Sequence, residues 1–258
     1  LGRYSQASEL KLLDVCFGLG YNSASVMHAL QQTSPPRIVW WGLEVDPRPL
    51  QWALSQQPFR DLWAGIVLQR FEQLHKSGSW CDAGGQGTML WGDARQNLKG
   101  LPSSYQPDLI LMDAFSPGHC PQLWSEEFLG ALASRLAPGG RLLTYCRAAA
   151  VRSSLRRAGL RLRTLRPAAR HRLEWSSGTL AVKPHSTDPL AMEGPGWTVL
   201  SPMEEEHLNT RASVPYRDPE SVDEPGMIHQ RREREQQSCG LESTSAWQRR
   251  WLMKKPSA

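Results

Sequence analysis

Four carboxylates and one glycine turn are the parts of this chain with the types and spacing to do chemistry. In LLDVCFGLGYNS (12–23) an apolar run carries Asp14 and then delivers Phe17, Gly18 and Gly20, after which Asn22 opens a helical pattern. Glycines at such a turn let the backbone approach a ligand closely, and the helix start offers free N–H groups. Ser23 stands where the dinucleotide pattern G-x-G-x-x-G requires its third glycine, which argues against a pyrophosphate cofactor. The shorter turn suits a nucleoside with an amino-acid tail; the bland alternative is a plain strand-to-helix turn. In WWGLEVDP (40–47) a strand ends in Glu44, where a carboxylate can accept ribose hydroxyls. The competing role is a strand-end acid, with Asp46 capping the next helix. In LWGDARQNL (90–98), Asp93 followed by the small Ala94 fits a contact to an adenine amino group, although Asp93 taken alone reads better as a helix cap.

The segment DLILMDAFSPGHCPQLW (108–124) decides the class of chemistry. Its apolar strand brings Asp113 to the carboxyl edge of a sheet, where open α/β folds bind ligands. Phe115, Ser116 and Pro117 then shape a rim. A carboxylate followed by an aromatic and a proline can hold an amine beside an electrophile. Trp124 is either a stacking surface for a base or core.

These groups need a scaffold, and the pattern supplies one. Apolar runs at 10–17, 37–44, 88–91, 108–113, 141–146, 160–165 and 179–183 alternate with amphipathic runs at 23–32, 47–56, 62–76, 123–136 and 149–158. That is the rhythm of a buried, mostly parallel sheet. Residues 77–87 read as a loop. Residues 184–226 read as an extended arm with little core, and 227–237 as a short exposed helix. Trp247 and Trp251, at helical spacing, either dock on the domain or stack on a base, docking being commoner. The expected organisation is one domain over 1–183 and an arm over 184–258.

The chain has 258 residues, 40% of them apolar, enough for one sizeable core. It lacks an apolar run long enough for a membrane helix. Its five cysteines are scattered without CxxC or Cys/His ligand spacing, which excludes a disulfide scaffold and a structural zinc site and favours the cytoplasm. The chain opens on Leu1 with no apolar signal core, as a fragment or an unusual start codon would. The net charge of +5 is uneven: residues 1–183 hold 21 Lys and Arg against 13 Asp and Glu, and residues 184–258 hold 9 against 12. Ten arginines fall between Arg141 and Arg172, with Glu174 the nearest acid in sequence. That density reads either as a surface for an anionic polymer or as a solvated face. Arg152, Arg156, Arg157, Arg170 and Arg172 are the candidate phosphate contacts.

With PGGRLLTYC (138–146), these elements in this order resemble a class I, Rossmann-like, seven-strand S-adenosylmethionine-dependent methyltransferase with helices on both faces. LDVCFGLGYNS, LMDAFSPGHCPQLWSEEF, LAPGGRLLTYCRAAAVRSSLRRAGL and PAARHRLEWSSGTLA together resemble the methyltransferase half of the bifunctional tRNA 5-methylaminomethyl-2-thiouridine biosynthesis family along most of 10–183. No second dinucleotide fingerprint follows residue 183, so the chain looks like the stand-alone members without a flavin domain. LNTRASVPYRDP and LESTSAWQRRW resemble an extension in cyanobacterial relatives. Family members carry a segment before the glycine turn that helps close the active site; about a dozen residues precede the first strand here.

The resemblance implies N-methylation of an aminomethyl group on the wobble uridine of tRNA, with the anticodon region as partner and neither metal nor membrane involved. It maps the cofactor onto Gly18, Gly20 and Glu44, with Asp14, Phe17, Asn22, Asp93 and Ala94 around it. It maps the active-site acid onto Asp113, and the basic RNA-facing segment onto Arg170, His171 and Arg172. Two rivals stay open at this stage: a methyltransferase for a small amine or a protein, and a non-catalytic RNA-binding remnant.

Overall fold

The computed structural model describes residues 4, 7–31, 36–167, 176–185 and 191–251. The chain divides into two compact units, Leu1–Ala114 with Arg135–Leu142, and Phe115–Ser134 with Leu143–Ala258. These divisions fall elsewhere than residue 183.

The first unit runs β1 (Glu9–Val15), α1 (Tyr21–Leu30), β2 (Arg37–Glu44), α2 (Arg48–Ser55), α3 (Gln57–Arg60), α4 (Gly65–Ser77), β3 (Ser79–Asp82), β4 (Gly85–Trp91), α5 (Ala94–Gly100) and β5 (Leu109–Met112). Its strands lie in the order β3-β4-β2-β1-β5. β1 lies between β2 and β5 and is parallel to both, and Asp14 stands opposite Gly42 and Leu111. Leu10, Leu12, Leu13 and Val15 are fully buried. A strand covered on both faces must be apolar on both, which is why β1 reads as a run and not as an alternation. Residues expected as a loop at 77–87 instead form the β3–β4 hairpin, antiparallel from Ser79↔Thr88 to Asp82↔Gly85. Gly85 permits it: a Cβ there would lie 2.0 Å from the Ile38 carbonyl oxygen.

The second unit contains most of α6 (Glu126–Arg135), then α7 (Ala149–Arg157), β7 (Arg161–Leu165), β8 (Gly178–Val182), β9 (Glu193–Gly194), β10 (Trp197–Thr198), α8 (Pro202–His207), α9 (Pro225–Ser238) and α10 (Thr244–Arg250). β6 (Arg141–Thr144) contributes residues to both units. β7 pairs antiparallel with β8 and with β10. The seven expected strands correspond to β1, β2, β4, β5, β6, β7 and β8; β3, β9 and β10 are additions.

The arm has a core, contrary to the expectation for 184–226. Leu200, Leu208, Val214, Tyr216 and Asp218 are buried, as are Ile228 of α9 and Trp247 of α10. Composition hid this because the buried positions are spread singly through polar sequence. Trp247 stacks on His207 with ring centroids 4.4 Å apart, and the Trp251 indole donates to Glu206 at 2.9 Å. The tryptophan pair therefore docks.

Candidate active site

The glycine turn is built from three left-handed residues, Cys16 (φ 64°), Gly18 (φ 56°) and Gly20 (φ 87°). Gly20 caps α1, and a side chain there would collide with Phe17 and Phe71. Phe17 is buried edge-on against Trp40 and Phe71, so it packs beneath the turn. At the mouth of the turn, Glu44 accepts from the Gly18 N–H at 2.8 Å through Oε2. Its Oε1 accepts from the Val45 and Asp46 N–H groups at 2.7 and 3.1 Å. The second acid, Asp113, is exposed and follows β5; its Oδ2 accepts from Asn22 Nδ2 at 2.7 Å. The end of β1, the start of α1 and the ends of β2 and β5 thus bring Gly18, Gly20, Asn22, Glu44 and Asp113 to one sheet edge.

Asp14 is fully buried below them. Its Oδ2 accepts from Ser23 Oγ at 2.5 Å, and Ser23 Oγ accepts from Trp40 Nε1 at 2.8 Å. Its Oδ1 has no hydrogen-bond partner among the described residues. Burial first, and then the charges of Asp113 and Glu44, push this carboxyl up to about 7. Asp14 therefore acts from beneath the turn and offers a ligand no exposed edge. Ser23 and Trp40 were not legible as its partners. The one signal was a hydroxyl in place of the third glycine.

Asp93 caps α5, accepting the Arg95 N–H at 2.9 Å and pairing with the Arg95 guanidinium at 2.7 Å. Burial alone would raise this carboxyl, yet the bonds from Arg95 outweigh it and hold it below its usual value. The helix-cap reading of Asp93 is thus realised, and Ala94 is buried behind it. Asp46 likewise accepts the Arg48 N–H at the start of α2.

In the second unit Phe115 stands 82% exposed, and Ser116 bonds His119 Nδ1 at 2.9 Å. Pro117 is buried. Trp124 is not a stacking surface. It is fully buried, and its indole donates to the Phe115 carbonyl at 2.7 Å, so it anchors the rim from inside. His229 of α9 lies 3.2 Å from the Gly118 carbonyl, a brace from 111 residues away that no local pattern announced.

The arginine segment differs most from expectation. Arg152 is 2% exposed and bonds Thr179, Glu204, Thr164, Ser176 and the Gly178 carbonyl. It is a core ion pair, not a phosphate contact. Burial would raise Glu204, but the Ser201 N–H and Arg152 bonds outweigh it and lower it. Arg156 pairs with Glu205 at 2.8 Å, Arg157 with Glu126, and Arg166 with Glu193 at 2.6 Å. Arg170, His171 and Arg172 lie outside the described residues. Among the described residues no cluster of His, Cys, Asp or Glu could hold a metal ion, and no helix is long and apolar enough to cross a membrane.

The profile of a family described as S-adenosyl-L-methionine-dependent methyltransferase matches residues 61–181. The tRNA 5-methylaminomethyl-2-thiouridine biosynthesis bifunctional protein MnmC of Pseudomonas savastanoi pv. phaseolicola is 28% identical over 193 residues, 70% of this chain and 29% of that protein. MnmC of Caulobacter vibrioides is 28% identical over 206 residues, 75% of this chain and 34% of that protein. The match thus spans about a third or less of these relatives' length. The crystal structure of MNMC2 from Aquifex aeolicus shares the fold, with a TM-score of 0.68 at 23% identity over 88% of this chain and 68% of that one.

The fold is that of the class I S-adenosylmethionine-dependent methyltransferases, and within that class the chain is similar to MnmC. The donor set fits S-adenosylmethionine: a turn in which Gly18 keeps a side chain out of open space, and carboxylates for the hydroxyls and the positive charge of the ligand.

Proposed function

We propose that this protein N-methylates the aminomethyl group on C5 of the wobble uridine of tRNA, in the cytoplasm. Residues 1–183 would supply the transfer chemistry and 184–258 an appended arm. The observation that carries the reading is the exposed Asp113 carboxylate, held by Asn22 at the mouth of the glycine turn. The names of the relatives point to tRNA as substrate.

Bound S-adenosylmethionine supplies an electrophilic methyl group on a sulfonium. The residues of this chain align and solvate. Gly18 and Gly20 keep the turn clear of side chains, and Glu44 meets the ribose. A carboxylate offers about four acceptor positions, and three backbone N–H groups already fill three of those of Glu44. The open position would take a ribose hydroxyl. Asp93 and Ala94 border the adenine.

Asp113 accepts an N–H of the neutral amine, aims its lone pair and stabilises the ammonium that forms. Because an anion also favours the protonated amine, orientation is its main role and proton acceptance its secondary one. Phe115 and Ser116 receive the flipped base. Arginines, with Arg170 and Arg172 foremost, meet phosphates.

The test is mass spectrometry of wobble nucleosides after incubating the protein with S-adenosylmethionine and tRNA that carries unmethylated 5-aminomethyl groups. A gain of one methyl on that group is expected. Equal methylation of a free alkylamine, insensitive to salt, would transfer the activity to small amines. Binding of tRNA without binding of S-adenosylmethionine would leave an RNA-binding remnant.

A further inference from the structure

Asp14 is a buried acid that the transfer chemistry leaves without a task. We infer that Asp14 senses charge beneath the glycine turn: it holds a proton before a ligand binds and releases it to solvent when a sulfonium-bearing nucleoside binds, so the site distinguishes the cationic methyl donor from its neutral thioether product. This rests on the cofactor site proposed above and goes beyond it.

The geometry is a cluster of three carboxylates at one sheet edge. Asp14 has no exposed surface, donors from Ser23 of α1 alone, its hydroxyl and its backbone N–H, and an Oδ1 with no hydrogen-bond partner among the described residues. An anion so placed is costly, because it is buried and one residue supplies its donors. The charged groups that act on it are Asp113, after β5, and Glu44, at the end of β2, both acids. Its register partners Gly42 and Leu111 bring no charge, and Trp40 of β2 bonds Ser23 instead. Along its own strand the next titratable side chain is the thiol of Cys16.

A positive charge placed among these acids reverses the balance and favours the Asp14 anion. The donor and the thioether share adenosine and the amino-acid tail and differ by one methyl and one charge, so a difference between them isolates the sulfonium. Linkage fixes the sign. If the donor lowers the affinity of Asp14 for its proton, donor binding releases that proton to the buffer and tightens as pH rises, levelling off near the value of about 7 for the unliganded group. The thioether shows neither effect. Once the methyl has left, Asp14 recovers a proton and the preference for the donor is restored.

The experiment titrates the full chain with S-adenosylmethionine and with S-adenosylhomocysteine by calorimetry, in two buffers of different ionisation enthalpy. Proton release is expected with the first ligand only. The ratio of donor to product affinity should rise by up to about tenfold per pH unit from about pH 5 to about pH 7 and then flatten. Asp14→Asn should abolish both the release and the slope. Equal release with both ligands, or unchanged release in Asp14→Asn, overturns the inference. If that variant fails to fold, the pH profile of the parent protein decides, a flat ratio counting against. Should neither ligand bind the parent, the cofactor site itself falls; should both bind with a flat ratio, only the role of Asp14 does.

Discussion

The glycine-turn edge of the first unit and the arginine-rich segment of the second both drew attention as charged features, and they differ in how their charge is used. At the turn, like charges converge: Asp14, Glu44 and Asp113 repel one another, and no guanidinium answers them among the groups acting on Asp14. In the arginine segment opposite charges converge. Glu126, Glu193, Glu204 and Glu205 pair with Arg157, Arg166, Arg152 and Arg156. Unbalanced charge costs stability and is kept where a ligand will balance it. Balanced charge is architecture, however dense it looks in sequence.

Five variants would break or sharpen that contrast. The largest effect is expected from Arg152→Ala, which takes the guanidinium away from the half-buried Glu204 and the buried Thr164 and should cost about 3 kcal/mol or more, read by denaturant unfolding. A variant of unchanged stability with weakened tRNA binding would return Arg152 to the RNA surface. Asp113→Asn comes next: transfer should slow by about 100-fold or more while calorimetric binding of S-adenosylmethionine holds. An unchanged rate at saturating substrate would leave Asp113 a strand-end acid.

The third is a pH effect. Folded Asp14 keeps its proton up to about pH 7, whereas the unfolded chain gives it up near its ordinary value of 3.8. The native state therefore binds the extra proton between these limits, and this contribution to stability falls as pH rises through them, by up to about 1 kcal/mol per unit. Asp14→Asn should flatten that part of the stability profile, and an identical profile in the variant would show that Asp14 does not titrate there. The smallest effects belong to single surface ion pairs and single phosphate contacts. Arg156→Ala should cost under about 0.5 kcal/mol, since Arg156 and Glu205 are about half exposed. The double variant Arg170→Ala, Arg172→Ala should reduce the salt slope of tRNA binding by somewhat under one unit per lost phosphate contact. A slope equal to the parent's would place the RNA surface elsewhere.

The first unit was largely legible because its signals are local. Apolar runs placed β1, β2 and β5 within one or two residues at each end, and glycine spacing placed the turn, since a left-handed backbone position favours glycine. The β3–β4 hairpin escaped notice because SGSWCDAGGQG has the composition of a loop and pairs only by virtue of Gly85 lying against Ile38.

By itself the sequence determined the alternation of strands and helices, the glycine turn, and the arrival of Glu44 and Asp113 at strand ends, because each depends on residues within one turn or one strand. Only the tertiary structure decided which charges remain unbalanced. The acids that neutralise Arg152 and Arg156 lie 52 and 49 residues away, and the burial of Asp14 and Trp124 comes from elements packed over them. Coulomb energy and desolvation depend on distance and surroundings in space, and a linear pattern carries neither.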